Sequence, residues 1–169
     1  MLDAADCFSK LTASGKVTPM RNNLCAMLLS SLLLSVPLLA ERKVIVPPEF
    51  APKAGAAAPN FSPGILVDGT LYISGQAGED ATGKIPDDFD AEVKQSLDNI
   101  DAVLKAAGMS SGDVVSVQVY LTDGATFQRM NAVYTAYFKV PRPTRTTVVV
   151  AKLVGPGHIE ITVTARKAE

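Results

Sequence analysis

Tryptophan is absent from the 169 residues, and there is one histidine and two cysteines. So few thiols exclude a disulfide-dense scaffold and a cysteine-rich zinc site. The single histidine, His158, sits in the turn Val154–His158 (VGPGH) and reads as a solvent-exposed turn residue. No Gly-x-Ser-x-Gly elbow supplies a nucleophile for it to serve. No spacing of His, Cys and carboxylates suits a metal, and no glycine-rich loop precedes a helix to cradle a phosphate. Charge of one sign is lacking too. The 16 Lys+Arg face 17 Asp+Glu, a net charge of −1, which offers no basic surface to nucleic acid or anionic lipid. What is abundant is apolar side chain, at 47%, enough for a core and too much for a disordered chain. The length fits one domain, with or without an appendage.

The apolar residues are unevenly spread. Leu24 to Ala40 (LCAMLLSSLLLSVPLLA) carries no charge, with Met20 and Arg21 before it and Glu41-Arg42-Lys43 after it. A basic start, an apolar run and a final small residue read as a secretory signal over residues 20–40, cut after Ala40. A run of this length containing Pro37 lies at the short edge of the ~17–25 residues that span a bilayer, so no stable membrane anchor is expected. Residues 1–19 are polar and patternless, with Asp3 and Asp6 diluting any positive end. They read as a non-native extension ahead of Met20. Cys7 and Cys25 both lie in the part to be removed, so the mature chain has no thiol nucleophile and suits an oxidising compartment. With Lys10, Lys16 and Arg21 set aside, 13 Lys+Arg and, without Asp3 and Asp6, 15 Asp+Glu remain. The expected location is exported, periplasmic or secreted, if the signal is used, and cytoplasmic otherwise.

Residues 41–59 are Pro- and Ala-rich and read as an extended arm, with nothing up to about residue 45 packing on the domain of residues 60–169. Asp68-Gly69 between β-prone runs predicts a hairpin, and Gly75 is expected to end its second strand. Val93, Leu97, Ile100, Leu104 and Ala107 set a helical period over Asp87–Ala107, with acids at its start and Gly108 as its stop. Val114–Leu121 alternates as a half-buried strand, with Val115, Val117, Val119 and Leu121 facing one way. Phe127, Met130, Tyr134 and Tyr137/Phe138 mark a second helix, capped by Thr122 or Asp123 and ended by Pro141 and Pro143. Thr146–Leu153 and Ile159–Ala165 complete the order β-β-α-β-α-β-β. That order predicts an α+β fold, one sheet with two helices on one face. The other face is expected to be largely apolar, covered by a symmetric oligomer.

Two residues stand out chemically. Arg145 follows Pro141-Arg142-Pro143-Thr144, so its backbone is held, and a planar guanidinium there can grip a carboxylate through two parallel hydrogen bonds. Pattern alone equally permits an ordinary surface arginine. Glu160 interrupts an apolar and hydroxyl strand, on the face of Thr162 and Thr164; partly buried, it can act as a general base or position water. Equally, it can be the polar side of a half-wet strand.

The set Asn60-Phe61-Ser62-Pro63-Gly64, Leu71-Tyr72-Ile73-Ser74-Gly75-Gln76, Asn131-Ala132-Val133-Tyr134, Pro143-Thr144-Arg145-Thr146-Thr147-Val148 and Ile159-Glu160-Ile161 resembles the Rid family. These are the reactive intermediate deaminases, also called YjgF-like or L-PSP. The resemblance runs from about Pro59 to Ala165. It implies a chorismate-mutase-like single mixed sheet and a homotrimer with sites in clefts between subunits. It also implies hydrolysis of enamines and imines of small 2-keto acids (2-aminoacrylate and 2-iminopropionate) to the keto acid and ammonia, without metal or organic cofactor. Arg145 matches the family's carboxylate-binding arginine and Glu160 the glutamate of the hydrolytic water. Ser74 and Gly75 match a ligand-contacting strand end, and Asn131 an asparagine near the site. Phe61 stands where many members have Tyr, Thr147 where many have Cys, and Thr162 where some have a second strand Glu.

Two other functions compete: a non-enzymatic binder of small carboxylates or holdase-like protein using the same cleft, and an endoribonuclease, a name attached to the family. Near-neutral charge and the missing histidine pair rank the last lowest, and no nucleic-acid partner is expected. One geometric expectation follows from the last two strands. As a simple hairpin about Gly155-Pro156, they would set Arg145 and Glu160 roughly 20 Å apart. A site using both then needs another strand order or a second subunit.

Overall fold

The computed structural model describes residues 41–52, 55–57 and 59–167. The expected extension and signal segment, residues 1–40, lie outside the described residues. Six strands form one mixed sheet: β1 (Lys43–Ile45), β2 (Gly64–Val67), β3 (Thr70–Ala77), β4 (Val114–Leu121), β5 (Thr144–Val149) and β6 (Ile159–Arg166). Two helices, α1 (Phe89–Ala106) and α2 (Phe127–Tyr137), follow β3 and β4. The strand order is β1-β2-β3-β6-β4-β5. Every neighbour is antiparallel except β4 and β5.

The local chemistry explains the elements. Asp68 and Gly69 both hold positive φ, 49° and 70°, the backbone a two-residue turn between twisted strands requires. Asp88 caps α1 by accepting the Ala91 N–H, and Gly108 leaves it at φ 70°. The apolar face of α1, with Val93, Leu97, Ile100 and Leu104, packs against Leu71, Ile73, Val117, Val119, Ile161 and Val163 in one core. Asp123 caps a single 3₁₀ turn, Gly124–Thr126, that leads into α2.

The arm is not separate from the sheet. Lys43–Ile45 pairs with Gly64–Leu66 as an edge strand, and Ile45 is buried in the core. The prolines at 47 and 48 stop that strand; they do not prevent it, because an edge strand needs only alternate N–H groups. Gly75 does not end β3, which runs on to Ala77 past a bulge between Ile73 and Gln76. Val115 is exposed and Val114 buried, because the register against β6 slips between Val114 and Ser116. The final two strands are not a hairpin: β4 lies between β5 and β6. The face away from the helices is mixed, with Ser116, Gln118, Thr162 and Thr164 beside exposed Tyr72 and Val148. It is less apolar than expected because alternation places hydroxyls there.

Candidate active site

Strand register decides which residues can meet. Val117, Val119 and Leu121 of β4 are buried toward the helices, so residues beside them share that face. Arg145 lies beside Val117 and Thr147 beside Val119. Glu160 lies beside Tyr120, on the opposite face. Their backbones flank β4 three residues apart, about 14 Å by strand spacing, and their side chains leave opposite sides of the sheet. One chain does not bring Arg145 and Glu160 together.

Around Glu160 lies a cavity of about 400 Å³, lined among others by Phe50, Phe61, Gly75, Gln76, Asn99 and Glu160. The β3 bulge makes this cavity possible. It turns Gly75 toward Glu160, and a Cβ at Gly75 would overlap Glu160 Oε1. The glycine is thus a space requirement of the carboxylate. Ser74, beside it, donates its hydroxyl to the Pro63 carbonyl at 3.2 Å and accepts from Gln76 Nε2 at 3.3 Å, which locks the bulge. Asp80 also lines the cavity. The Thr82 hydroxyl and the Lys84 and Thr82 N–H groups hold its carboxyl below the ordinary range, so it is engaged within its own loop.

Arg145 belongs to a second cluster. Its guanidinium carbon lies 4.5 Å from the Tyr134 ring centroid and 5.8 Å from that of Phe127, an aromatic shelf on α2. Burial raises the Tyr134 phenol, and nearby Arg145 pulls the other way. Asn131 lies on α2 between these two aromatic positions in sequence. Thr147 Oγ1 is buried without a hydrogen-bond partner, an orphan acceptor and donor next but one to Arg145. Among the described residues neither Arg145 nor Glu160 is in an ion pair. A free planar cation on a rigid shelf can take a carboxylate; a half-buried carboxylate facing a cavity can direct water.

The sequence model of the endoribonuclease L-PSP family matches residues 51–167. The chain belongs to that Rid/YjgF-like family. A RutC family protein of Aquifex aeolicus is 38% identical over 119 residues, 69% of this chain and 95% of that protein. The 2-iminobutanoate/2-iminopropanoate deaminase of Bos taurus is 44% identical over 111 residues, 64% of this chain and 81% of its own. RidA from an Antarctic Psychrobacter superposes with a TM-score of 0.67 at 37% identity, covering 74% of this chain and 99% of that one. The YjgF gene product of E. coli gives 0.67 at 35%, covering 75% and 99%.

In this Rid domain, the residues suggested by sequence fall into two groups. Phe61, Gly75 and Glu160 line one cavity, with Ser74 behind its wall, bonded to the lining residues Pro63 and Gln76; Asn131, Arg145 and Thr147 stand at the other cluster. Sequence reading missed a polar stripe buried on α1. Ser96 Oγ donates to the Gln76 carbonyl at 2.7 Å. Asn99 Nδ2 donates to the carbonyls of Ala77 and Glu79 at 3.0 and 2.8 Å. Glu92 is 1% exposed and bonds to the residues leading into β6. The signal was present, since 92, 96 and 99 recur at helical spacing beside 93, 97 and 100.

Gly75→Ala tests the close approach. The added methyl displaces the Glu160 side chain, and kcat for the reaction proposed below falls about 10- to 100-fold, because misplacing a catalytic group by about 1 Å costs that much. Thermal unfolding and kinetics on the purified variant check it. A variant with wild-type kcat would show that the contact is not needed.

Proposed function

We propose that the protein is a 2-imino acid hydrolase acting on substrates of the 2-iminobutanoate and 2-iminopropanoate type and on their enamine tautomers. The observation that carries this reading is the pair of complementary half-sites, a carboxylate-gripping Arg145 and a cavity-facing Glu160 on opposite faces of one sheet. Relatives at 40–44% identity bear the deaminase name. The working unit is a homotrimer, in which Arg145 of one subunit meets Glu160 of its neighbour across a cleft.

Arg145 binds the substrate carboxylate through two parallel hydrogen bonds and fixes the imine carbon at the Glu160 cavity. Glu160 takes a proton from water as the water oxygen bonds to the imine carbon, and the nitrogen gains a proton to give a carbinolamine. The C–N bond then breaks, the hydroxyl proton passes to the departing nitrogen, and the products are the 2-keto acid and ammonia. Asn131, Thr147, Ser74 and the Phe61 wall shape the remainder of the cleft. The apolar run of residues 24–40 would direct this chemistry outside the cytoplasm; amino-terminal sequencing of the protein from its native host, with a start near Glu41, tests that part.

Ammonia release from freshly generated 2-iminopropionate tests the activity. Tight 2-ketobutyrate binding without turnover would instead establish a carboxylate binder. Mixing tests the shared site. Refolding inactive Arg145→Ala with inactive Glu160→Gln at equal amounts should restore about a quarter of the wild-type activity, since a site regains both groups when each comes from the intact subunit. No recovery in a mixed oligomer would place both groups within one chain's site.

A further inference from the structure

Glu160 is the second residue of β6, so whatever holds the chain there holds its carboxylate. That chain is gripped from the helix side by another carboxylate. Glu92 Oε1 accepts the backbone N–H of His158 at 2.6 Å and of Ile159 at 3.2 Å. Its Oε2 accepts from His158 Nδ1 at 2.9 Å. The carbonyl of His158 is taken in turn by the Thr122 N–H at 3.1 Å, so the peptide leading to Glu160 is fixed at both its donor and its acceptor. Ile159 is fully buried, and alternation then sends Glu160 to the other face, toward Gly75.

Space has been cleared for this grip. A Cβ at Gly78 would lie 2.5 Å from Glu92 Cγ, and one at Gly157 would lie 3.1 Å from Oε1. Gly78 adjoins the cavity residues Ala77 and Glu79, and Gly157 adjoins His158. Burying a carboxylate is costly where an apolar residue would fill the core. Two backbone donors and a ring N–H satisfy it, and all three belong to the segment that aims Glu160.

The geometry points to Glu92 as a positioning residue for Glu160. It sets the angle at which the second half-site presents its carboxylate, and it leaves the Arg145 half-site untouched. This rests on the imine-hydrolase reading. The role therefore belongs to turnover and not to substrate carboxylate binding.

The deciding variant is Glu92→Asp, which keeps the charge and withdraws both acceptors by one methylene. The readouts are steady-state kinetics with 2-iminopropionate and amide hydrogen exchange on the ligand-free full-length protein. Expected are a fall of about tenfold in kcat with KM within about twofold. Protection at His158 and Ile159 should fall about tenfold while that of α1 and β3 holds. Glu92→Gln retains an acceptor for both N–H groups and should recover most of kcat; Glu92→Ala should lose it or fail to fold, and Glu92→Asp decides in either case. Wild-type kcat in Glu92→Asp, unchanged protection, or a rise in KM matching the loss of kcat would overturn the assignment. A wild-type protein that releases no ammonia would overturn the imine-hydrolase reading instead.

Discussion

Arg145→Ala should lose about 10²- to 10³-fold in kcat/KM for 2-iminopropionate, mostly through KM. Each hydrogen bond from a guanidinium to a carboxylate contributes about 1.5–3 kcal/mol, and two are lost together. Among the described residues Arg145 alone stacks on the rings of Tyr134 and Phe127; Arg142, also near the Tyr134 phenol, is turned to the Phe138 carbonyl. Arg145→Lys keeps the charge but loses the fork, and should fall between the two. Competition by 2-ketobutyrate gives the binding part separately: its inhibition constant should weaken in step with KM. Equal kcat/KM in wild type and Arg145→Ala would remove the carboxylate grip from the mechanism.

The second large effect is on Glu160. Glu160→Gln keeps the size and the fit against Gly75 but cannot take a proton from water. General base catalysis of this kind is worth about 10²- to 10⁴-fold, and the loss should fall on kcat with KM almost unchanged. The contrast with Arg145→Ala carries the weight: one variant binds poorly, the other binds and does not turn over. Single-turnover measurements with 2-iminopropionate should show the Glu160→Gln protein bound and slow. If instead KM rises and kcat holds, Glu160 contacts the substrate and another group directs the water.

Much of this molecule was legible from local rules. The Asp68-Gly69 turn, the 93-97-100-104 stripe and the alternation around Glu160 each follow from one periodicity or one φ requirement. Long-range order was less legible. Nothing in the sequence of β5 says that it pairs with β4 in parallel and leaves β6 between β3 and β4, so the hairpin expectation failed there. The arm hid a three-residue strand because prolines at 47 and 48 masked it. Arg145 and Glu160 were visible as chemistry, but only the register set them on opposite faces. Glu92 reads locally as one more acid in the first turn of α1, where the helix dipole favours negative charge. Its burial depends on the turn at Gly157, sixty-five positions away in sequence, and spacing along α1 offered the only local hint.

The position of β6 has a further consequence for how the chain reaches this state. It is the hub of the sheet, yet it follows every other strand in the sequence, and it pairs Arg166 with Thr70. Until it arrives, β3 and β4 each show a bare edge, and the central part of the core supplied by Ile159, Ile161 and Val163 is missing. Folding must therefore wait for contacts of long sequence separation, which form slowly. A growing chain stays open until its final strand is made, so through nearly the whole of synthesis it depends on whatever shields the free edges of β3 and β4 from other chains.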